Sequence, residues 1–215
     1  MPRRRVWIFL LCAFAVFGGM YVLYSGLDTL RTLDAVEMER DEWQRPGDVL
    51  RALDVRQGYA VVDLGSGAGY FTLKISPLVG SNGQVLAVDL RRLSLSFLWI
   101  RSMFRSPRNI HLMVGSEDDP HIAPGRADAV LIANTYHEFL KPGIMIEHVF
   151  GALRSGGRLV IVDRGPGIAA DGHEIPMEAV ADEIRHEGFQ IVDCEDPFIR
   201  PPGDDPWWLL TARKP

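Results

Sequence analysis

The segment VVDLGSGAGYFT, residues 61–72, constrains the fold more than any other part of the chain. An apolar run ends in Asp63, and glycines follow at alternate positions, Gly65, Gly67 and Gly69, before a helical pattern begins. Because glycine costs backbone entropy in a regular element, glycines at this density indicate a turn that a ligand approaches very closely. A buried strand, a glycine turn and a helix together predict the first unit of an open α/β sheet.

The rest of the chain repeats this alternation. Further strand-like runs are GQVLAVDL, IHLMVG, ADAVLIANT, GGRLVIVDR, FQIVDCEDPF and PWWLLTARKP. Helical patterns separate most of them, and Pro77 is expected to cut the first of these helices short. The last two strands have no helix between them, which predicts an antiparallel edge on a mostly parallel sheet. Ligands of such sheets bind beyond the carboxyl ends of the strands.

The acidic residues around the glycine turn indicate the ligand. A dinucleotide fingerprint aligned on the first two glycines would need a third glycine where the chain has Tyr70. Asp63 would repel a pyrophosphate and attract an ammonium group, which disfavours a nicotinamide dehydrogenase. Asp89 ends the second strand, where a carboxylate accepts hydrogen bonds from ribose hydroxyls. S-adenosylmethionine has an amine, a carboxylate and a ribose but no phosphate, so it fits both acidic positions.

Four motifs carry a family resemblance: VVDLGSGAGYFT, VLAVDL, ADAVLIANTYHEF and LRSGGRLVIVDR. The chain from about residue 38 to 215 resembles class I S-adenosylmethionine-dependent methyltransferases, most closely a small bacterial type-11-like group. The resemblance implies a Rossmann-like, seven-stranded, mostly parallel sheet with an antiparallel last strand. It also implies that the segment RDEWQRP covers the cofactor, with Arg40 and Trp43 near the site.

The resemblance implies roles for particular residues. The cofactor-binding set is Asp63, Gly65, Ser66, Gly67, Gly69, Asp89, Leu90, Asp118 and Asn134. The aspartate before the turn and the glycines would hold the methionine end, and Asp89 would hold the ribose. Many relatives have an acidic residue directly after the glycine of the third motif. Here Ser116 stands there, so Asp118 is the expected partner of the adenine amine.

Methyl transfer depends mostly on positioning, and a general base is needed only when the acceptor arrives protonated. His137 is the expected base, Tyr136 is the second candidate and His173 is a third. Asp163 and Arg164 are expected to form a surface pair or a loop cap. With only two cysteines, no metal cluster and no arsenite-methylating activity are expected. The signature expected of ubiquinone and menaquinone methyltransferases is not evident.

The N-terminus differs in composition from the rest. No charged residue occurs from position 6 to position 27, a run of about the length that crosses a hydrocarbon core as a helix. Trp7, Tyr21 and Tyr24 stand near its ends, where aromatic rings favour the membrane interface. The sequence therefore predicts an uncleaved N-terminal transmembrane or membrane-anchoring helix over residues 1–30 and a methyltransferase domain over residues 31–215.

A second segment also predicts membrane contact. The helix after Asp89 reads RRLSLSFLWIRSMFRSPR, apolar over much of its circumference with arginines at its ends. Such a helix is typical of an interface with anionic lipid, although a well-buried helix is the alternative. The expected partners are membrane lipid, a membrane-resident acceptor and, through the N-terminal helix, a membrane protein. The net charge of −5 argues against nucleic acid.

The expected acceptor is a lipid headgroup amine, a quinone-like or isoprenoid compound, or a membrane protein. The alternative function is a membrane-bound assembly or scaffold subunit that keeps the fold without turnover. For sidedness, the arginines at positions 3–5 favour a cytoplasmic N-terminus and hence an external domain. An intact cofactor site needs access to the cofactor, so the catalytic domain is predicted on the cytoplasmic face of the membrane.

Overall fold

The computed structural model describes residues 2–105, 108–167, 174–201 and 205–215, with side chains at Trp7 and from residue 14 onward. These residues form two compact units, Met1–Arg40 and Asp41–Pro215. The sequence pattern places a boundary earlier, after residue 30. One helix, α1 (Pro2–Trp43), makes up the first unit and continues into the second.

Among the described residues, no helix combines the length and the apolar character that crossing a membrane requires. The membrane-spanning helix predicted over residues 1–30 is therefore not supported by the structure. Several aromatic side chains of α1 are exposed, among them Trp7, Phe14 and Tyr21.

The second unit is a seven-stranded sheet covered by helices on both faces. The strands are β1 (Ala60–Leu64), β2 (Gln84–Asp89), β3 (Ile110–Val114), β4 (Ala127–Ala133), β5 (Leu153–Arg164), β6 (Gln190–Ile199) and β7 (Trp207–Arg213). The helices are α2 (Pro46–Leu53), α3 (Thr72–Val79), α4 (Arg92–Arg105), α5 (Pro142–Ala152) and α6 (Met177–His186), with a short 3₁₀ turn at Tyr136–Glu138. Pro77 lies inside α3 and does not end it, contrary to expectation.

The strands run in the order β3-β2-β1-β4-β5-β7-β6. Strands β1 to β5 pair in parallel, whereas β7 is antiparallel to both of its neighbours, β5 and β6. The antiparallel last strand is thus confirmed. The chain order differs from the spatial order, however, because β7 inserts between β5 and β6 and leaves β6 at the edge.

Two apolar clusters fill the two sides of the sheet. Residues from α5 and α6 pack on one face, and residues from α2 and α3 pack on the other. All five residues of β1 are buried, because helices cover both faces. This double burial is why the strands read as continuous apolar runs in the sequence. The strand order reverses between β1 and β4, so the crevice beyond their carboxyl ends is where a ligand is expected.

Candidate functional site

The glycine turn follows β1 at this crevice. Gly65, Gly67 and Gly69 all have positive φ, at 78°, 54° and 95°. A β-carbon at the first would lie 2.2 Å from the hydroxyl of Thr135, and one at the third would lie 2.2 Å from a methyl group of Leu98. A β-carbon at Gly67 would meet nothing within 4 Å. Packing therefore requires the outer two glycines, and the middle glycine borders open space.

Asp89 at the end of β2 fixes this turn. Its Oδ2 accepts a hydrogen bond from the Gly67 N–H at 2.7 Å, and its Oδ1 accepts one from the Arg91 N–H at 2.7 Å. Each carboxylate oxygen has two lone-pair sites, so both can still accept a bond from a ligand hydroxyl. Leu90, the next predicted site residue, is exposed beside it. The predicted ribose-binding position therefore adjoins the open side of the turn.

Asp63 is almost fully buried, at 3 % exposure. Its carboxylate accepts a hydrogen bond from the hydroxyl of Thr72, the first residue of α3. This contact ties the end of β1 to the helix that follows the turn. The structure shows this hydrogen bond within the protein. The attraction of a ligand ammonium group to Asp63 remains a prediction.

Ser66 contributes an unused polar group to the turn. Its hydroxyl is buried, and it has no hydrogen-bond partner among the residues that the structure describes. A buried polar atom without a partner is costly in a folded protein, so its presence here favours a ligand that completes the bond.

The loop after β3 brings Asp118 close to Lys141, which precedes α5. The lysine donates a hydrogen bond at 2.8 Å, and this bond holds the pKa of the Asp118 carboxyl below its ordinary value. A second, longer bond comes from the Ser116 hydroxyl at 3.3 Å. Asp118 is thus kept ionised as an acceptor, and its predicted bond to an adenine amine stays a prediction.

Asn134 directly follows β4 and lies in the left-handed region, with φ of 54°. Its N–H donates to the carbonyl oxygen of Val162 at 2.7 Å, which continues the pairing of β4 with β5. Left-handed backbone is unusual for a residue with a side chain, although asparagine tolerates it better than most, and such residues concentrate at functional sites. The bend directs the chain into Thr135, against the glycine turn, and then into the 3₁₀ turn.

His137 and Asp163 form a buried pair at this edge. Their side chains are 4 % and 0 % exposed, and His137 Nδ1 lies 2.8 Å from Asp163 Oδ1. The carboxylate also accepts bonds from the N–H groups of His137 and Arg164. A neutral ring that donates from Nδ1 carries its lone pair on Nε2, which is the tautomer that a base needs.

The expectation that Asp163 lies at the surface is wrong, because its side chain is fully buried. Its bonds from two backbone N–H groups agree with the loop cap that was the other expectation, and the same carboxylate holds the ring of His137. The sequence showed only its position near the end of a strand and not its burial. Asp163 is the penultimate residue of β5, and the carboxyl ends of the parallel strands β4 and β5 lie side by side.

Tyr136 was the second predicted base, and the structure contradicts this. The ring belongs to the apolar cluster under α5 and α6, and its hydroxyl donates to the carboxylate of Glu183. Burial, followed by the bond to Glu183, raises the pKa of the tyrosine well above its ordinary value. Tyr136 therefore stays protonated and anchors the 3₁₀ turn to α6.

Two tryptophans at the same edge were not predicted as a pair. The rings of Trp43 and Trp207 meet edge to face at 5.6 Å between centroids. Trp207 pairs in register with Arg164, one residue beyond Asp163, and its buried indole N–H has no partner among the described residues. Trp43 thus lies at the predicted edge, whereas Arg40 belongs to the first unit. His173 lies outside the described residues, and no metal-binding group of acidic, histidine or cysteine residues is found within them.

The fold and the site together define a class I methyltransferase. The sequence profile of a family described as a methyltransferase domain matches residues 56–193. Since this match spans more than half of the sequence, the chain belongs to that methyltransferase family. It is an S-adenosylmethionine-dependent methyltransferase.

The curated relatives include quinone-modifying enzymes. The ubiquinone/menaquinone biosynthesis C-methyltransferase of Pasteurella multocida is 27% identical over 119 residues, which cover 51% of this chain and 41% of the relative. The demethylmenaquinone methyltransferase of Oceanobacillus iheyensis is 19% identical over 141 residues, which cover 66% and 58%. The chain thus spans about half the length of these relatives. This similarity appears although the sequence shows no evident quinone signature.

Solved structures show the same fold. An S-adenosylmethionine-dependent methyltransferase from Aquifex aeolicus superposes with a TM-score of 0.74 at 20% identity, covering 86% of this chain and 97% of the other. The [4+2]-cyclase SpnF superposes with a TM-score of 0.70 at 16% identity, covering 80% of each chain. Likeness at this level of identity supports the fold alone.

The residues present fit S-adenosylmethionine. Ser66 offers a buried hydroxyl that has no partner among the described residues, Gly67 leaves space beside the turn, and Asp89 presents acceptor oxygens beside Gly67. The backbone N–H groups at the start of α3 favour the negative charge of a carboxylate. When bound, this cofactor supplies an electrophilic methyl group on a sulfonium.

Proposed function

We propose that this enzyme methylates a membrane-associated acceptor with an ionisable hydroxyl, of which a quinol is the best-supported example. The observation that carries the proposal is the buried pair of His137 and Asp163, which lies at the carboxyl ends of β4 and β5, at the edge that also carries the glycine turn. A histidine held by a carboxylate is suited to removing a proton from a hydroxyl.

The proposed chemistry requires little of the protein beyond position and proton transfer. His137 accepts the hydroxyl proton on Nε2. Asp163 keeps the ring oriented through Nδ1 and stabilises the imidazolium that forms. Loss of this proton raises the electron density on the oxygen and on the adjacent ring carbon of a quinol, so either atom becomes a better nucleophile.

The quinol class is supported by the names of two relatives, a ubiquinone/menaquinone biosynthesis C-methyltransferase and a demethylmenaquinone methyltransferase. A lipid headgroup amine would also need a base, because it arrives protonated, but neither it nor an isoprenoid compound or a membrane protein is named among these relatives. A scaffold role without turnover is the alternative. The cyclase that shares this fold illustrates that the fold does not dictate methyl transfer.

Attachment to the cytoplasmic face of the membrane is part of the proposal. The uncharged sequence over residues 6–27 and the exposed aromatic side chains of α1 support lipid contact. A membrane-protein partner for this helix remains a prediction. A cysteine introduced between residues 28 and 40 is expected to be protected from an impermeant thiol reagent in intact cells, and labelling without lysis would contradict the cytoplasmic placement.

The decisive experiment supplies the purified full-length chain with methyl-labelled S-adenosylmethionine and reduced quinols, phospholipids or membrane extract. Label is expected in the quinol fraction, and mass spectrometry is expected to locate one added methyl group. His137→Gln serves as the matched control, because it removes the base and leaves the glycine turn intact. Cofactor binding without label in any fraction would favour the scaffold alternative.

A further inference from the structure

The helix α4 exposes the side chains that a helix on a sheet normally hides. Leu93, Trp99, Met103 and Phe104 are 71 %, 57 %, 63 % and 81 % exposed. They lie together on the outward side of the helix, where polar residues are expected on a water-facing surface. We call these four residues the α4 outer face. A contiguous apolar surface of this kind marks an interaction site.

The orientation of α4 is fixed from its other side. Leu95, Leu98 and Arg101 are buried against the domain. Leu98 packs on Gly69 of the cofactor turn, and the Arg101 guanidinium donates a hydrogen bond to the carbonyl oxygen of Ala68. Rolling the helix to hide its outer face would break these contacts, so the apolar side remains outward.

Basic residues surround the α4 outer face. Arg91, Arg92, Arg105 and Arg108 are all exposed, and no acidic residue occurs from position 91 to position 108. The Arg91 guanidinium lies 3.5 Å from the carboxylate of Glu138. The chain as a whole carries a net charge of −5. This concentration of positive charge on an acidic protein orients it towards a negatively charged surface.

We propose that the α4 outer face docks on an anionic lipid bilayer, with its apolar side chains at the level of the headgroups and its arginines on the phosphates. Apolar residues flanked by arginines match the composition of interfacial helices.

Docking through this face would bring the cofactor crevice to the membrane. Leu90 adjoins the predicted ribose ligand Asp89 and is exposed, as is Leu140 just beyond the 3₁₀ turn. The pairing of Arg91 with Glu138 links the start of α4 to that turn. Exposed apolar side chains thus occur at the rim of the crevice as well as on α4, so docking would offer an acceptor dissolved in the bilayer a short route. This inference rests on the membrane-associated acceptor of the proposed function and specifies how it is reached.

The test uses the full-length chain with both native cysteines replaced by serine. One variant carries Phe104→Cys on the α4 outer face, and its matched control carries Asp182→Cys, an exposed position on α6. Each is labelled with an environment-sensitive fluorophore and mixed with phosphatidylglycerol vesicles that contain spin-labelled lipid. Retained binding of S-adenosylmethionine shows that the labelled chains are folded.

The probe at residue 104 is expected to shift to the blue and to be quenched by the spin-labelled lipid, whereas the probe at 182 is not. Replacing Arg92 and Arg105 by glutamine should weaken the binding that this quenching reports by about fivefold for each arginine. Equal quenching at both positions, or none at 104 on vesicle-bound protein, would overturn the inference. So would a blue shift at 104 that depends on protein concentration without vesicles, because a second copy would then cover the face. The readout is independent of methyl transfer, so it can fail while the proposed function stands.

Discussion

Replacing Gly67 by alanine tests the position of the cofactor most directly. Because a β-carbon there would meet nothing within 4 Å, no steric clash inside the protein is expected. The remaining cost to folding comes from the left-handed backbone at φ of 54°, about 1–2 kcal/mol. If the open space beside the turn belongs to S-adenosylmethionine, the added methyl group intrudes on the ligand. Overpacking of this size weakens binding by about 1–3 kcal/mol, or about fivefold to a hundredfold in Kd.

Gly65→Ala is the matched control. Its β-carbon would lie 2.2 Å from the Thr135 hydroxyl, which itself donates to the carbonyl oxygen of Ala133. Strain, overpacking and disturbance of that bond together cost about 3–5 kcal/mol of folding stability. This is a large part of the stability of an ordinary domain. The two variants therefore differ in kind, because one impairs binding and the other impairs folding.

Thermal unfolding and titration calorimetry separate the two effects. The Gly67→Ala chain should melt only a few degrees below the parent, as its backbone cost implies, while its affinity for S-adenosylmethionine falls. The Gly65→Ala chain should melt much earlier. Unchanged affinity in a folded Gly67→Ala chain would refute the assignment of that open space to the cofactor.

Three further outcomes are expected. His137→Gln should lower the rate of methyl transfer by about 10²–10⁴-fold with little change in cofactor affinity. Because the two residues act as one unit, adding Asp163→Asn to this variant should cause no further loss of rate. Single-turnover assays check this, and additive losses of rate would contradict the pairing. Asp89→Ala should weaken S-adenosylmethionine binding by about 1.5–3 kcal/mol in calorimetry. A loss of folding stability without a loss of affinity would mean that Asp89 only braces the glycine turn. Tyr136 has a raised pKa in the folded state, so the stability it contributes is complete below the ordinary tyrosine value of 10.0 and is lost as the pH rises above it. The stability advantage over Tyr136→Phe should therefore shrink in unfolding experiments above that pH, and a constant difference would contradict the assignment.

Much of this architecture is local in origin and was readable from the sequence. The strands of a sheet covered on both faces are uninterrupted apolar runs, and the turn after β1 needs backbone conformations that only glycine adopts easily. The residues that follow each strand fall at one edge because parallel strands end together. For the same reason, Asp89 and the glycine turn were identified from spacing alone, and they lie hydrogen-bonded to each other.

Contacts between distant segments were decided only by the tertiary structure. Asp163 and His137 are separated by α5 and β5 in the chain, and no local pattern distinguishes a buried carboxylate from a surface one at a strand end. Tyr136 and His137 are neighbours in sequence, yet one turns into the core towards Glu183 and the other towards Asp163. The insertion of β7 between β5 and β6 also follows from pairing rather than propensity. The sequence determined which chemical groups lie at the carboxyl edge of the sheet. Long-range packing determined which of these groups contact one another, because hydrogen bonds and burial depend on distances that the order of residues does not contain.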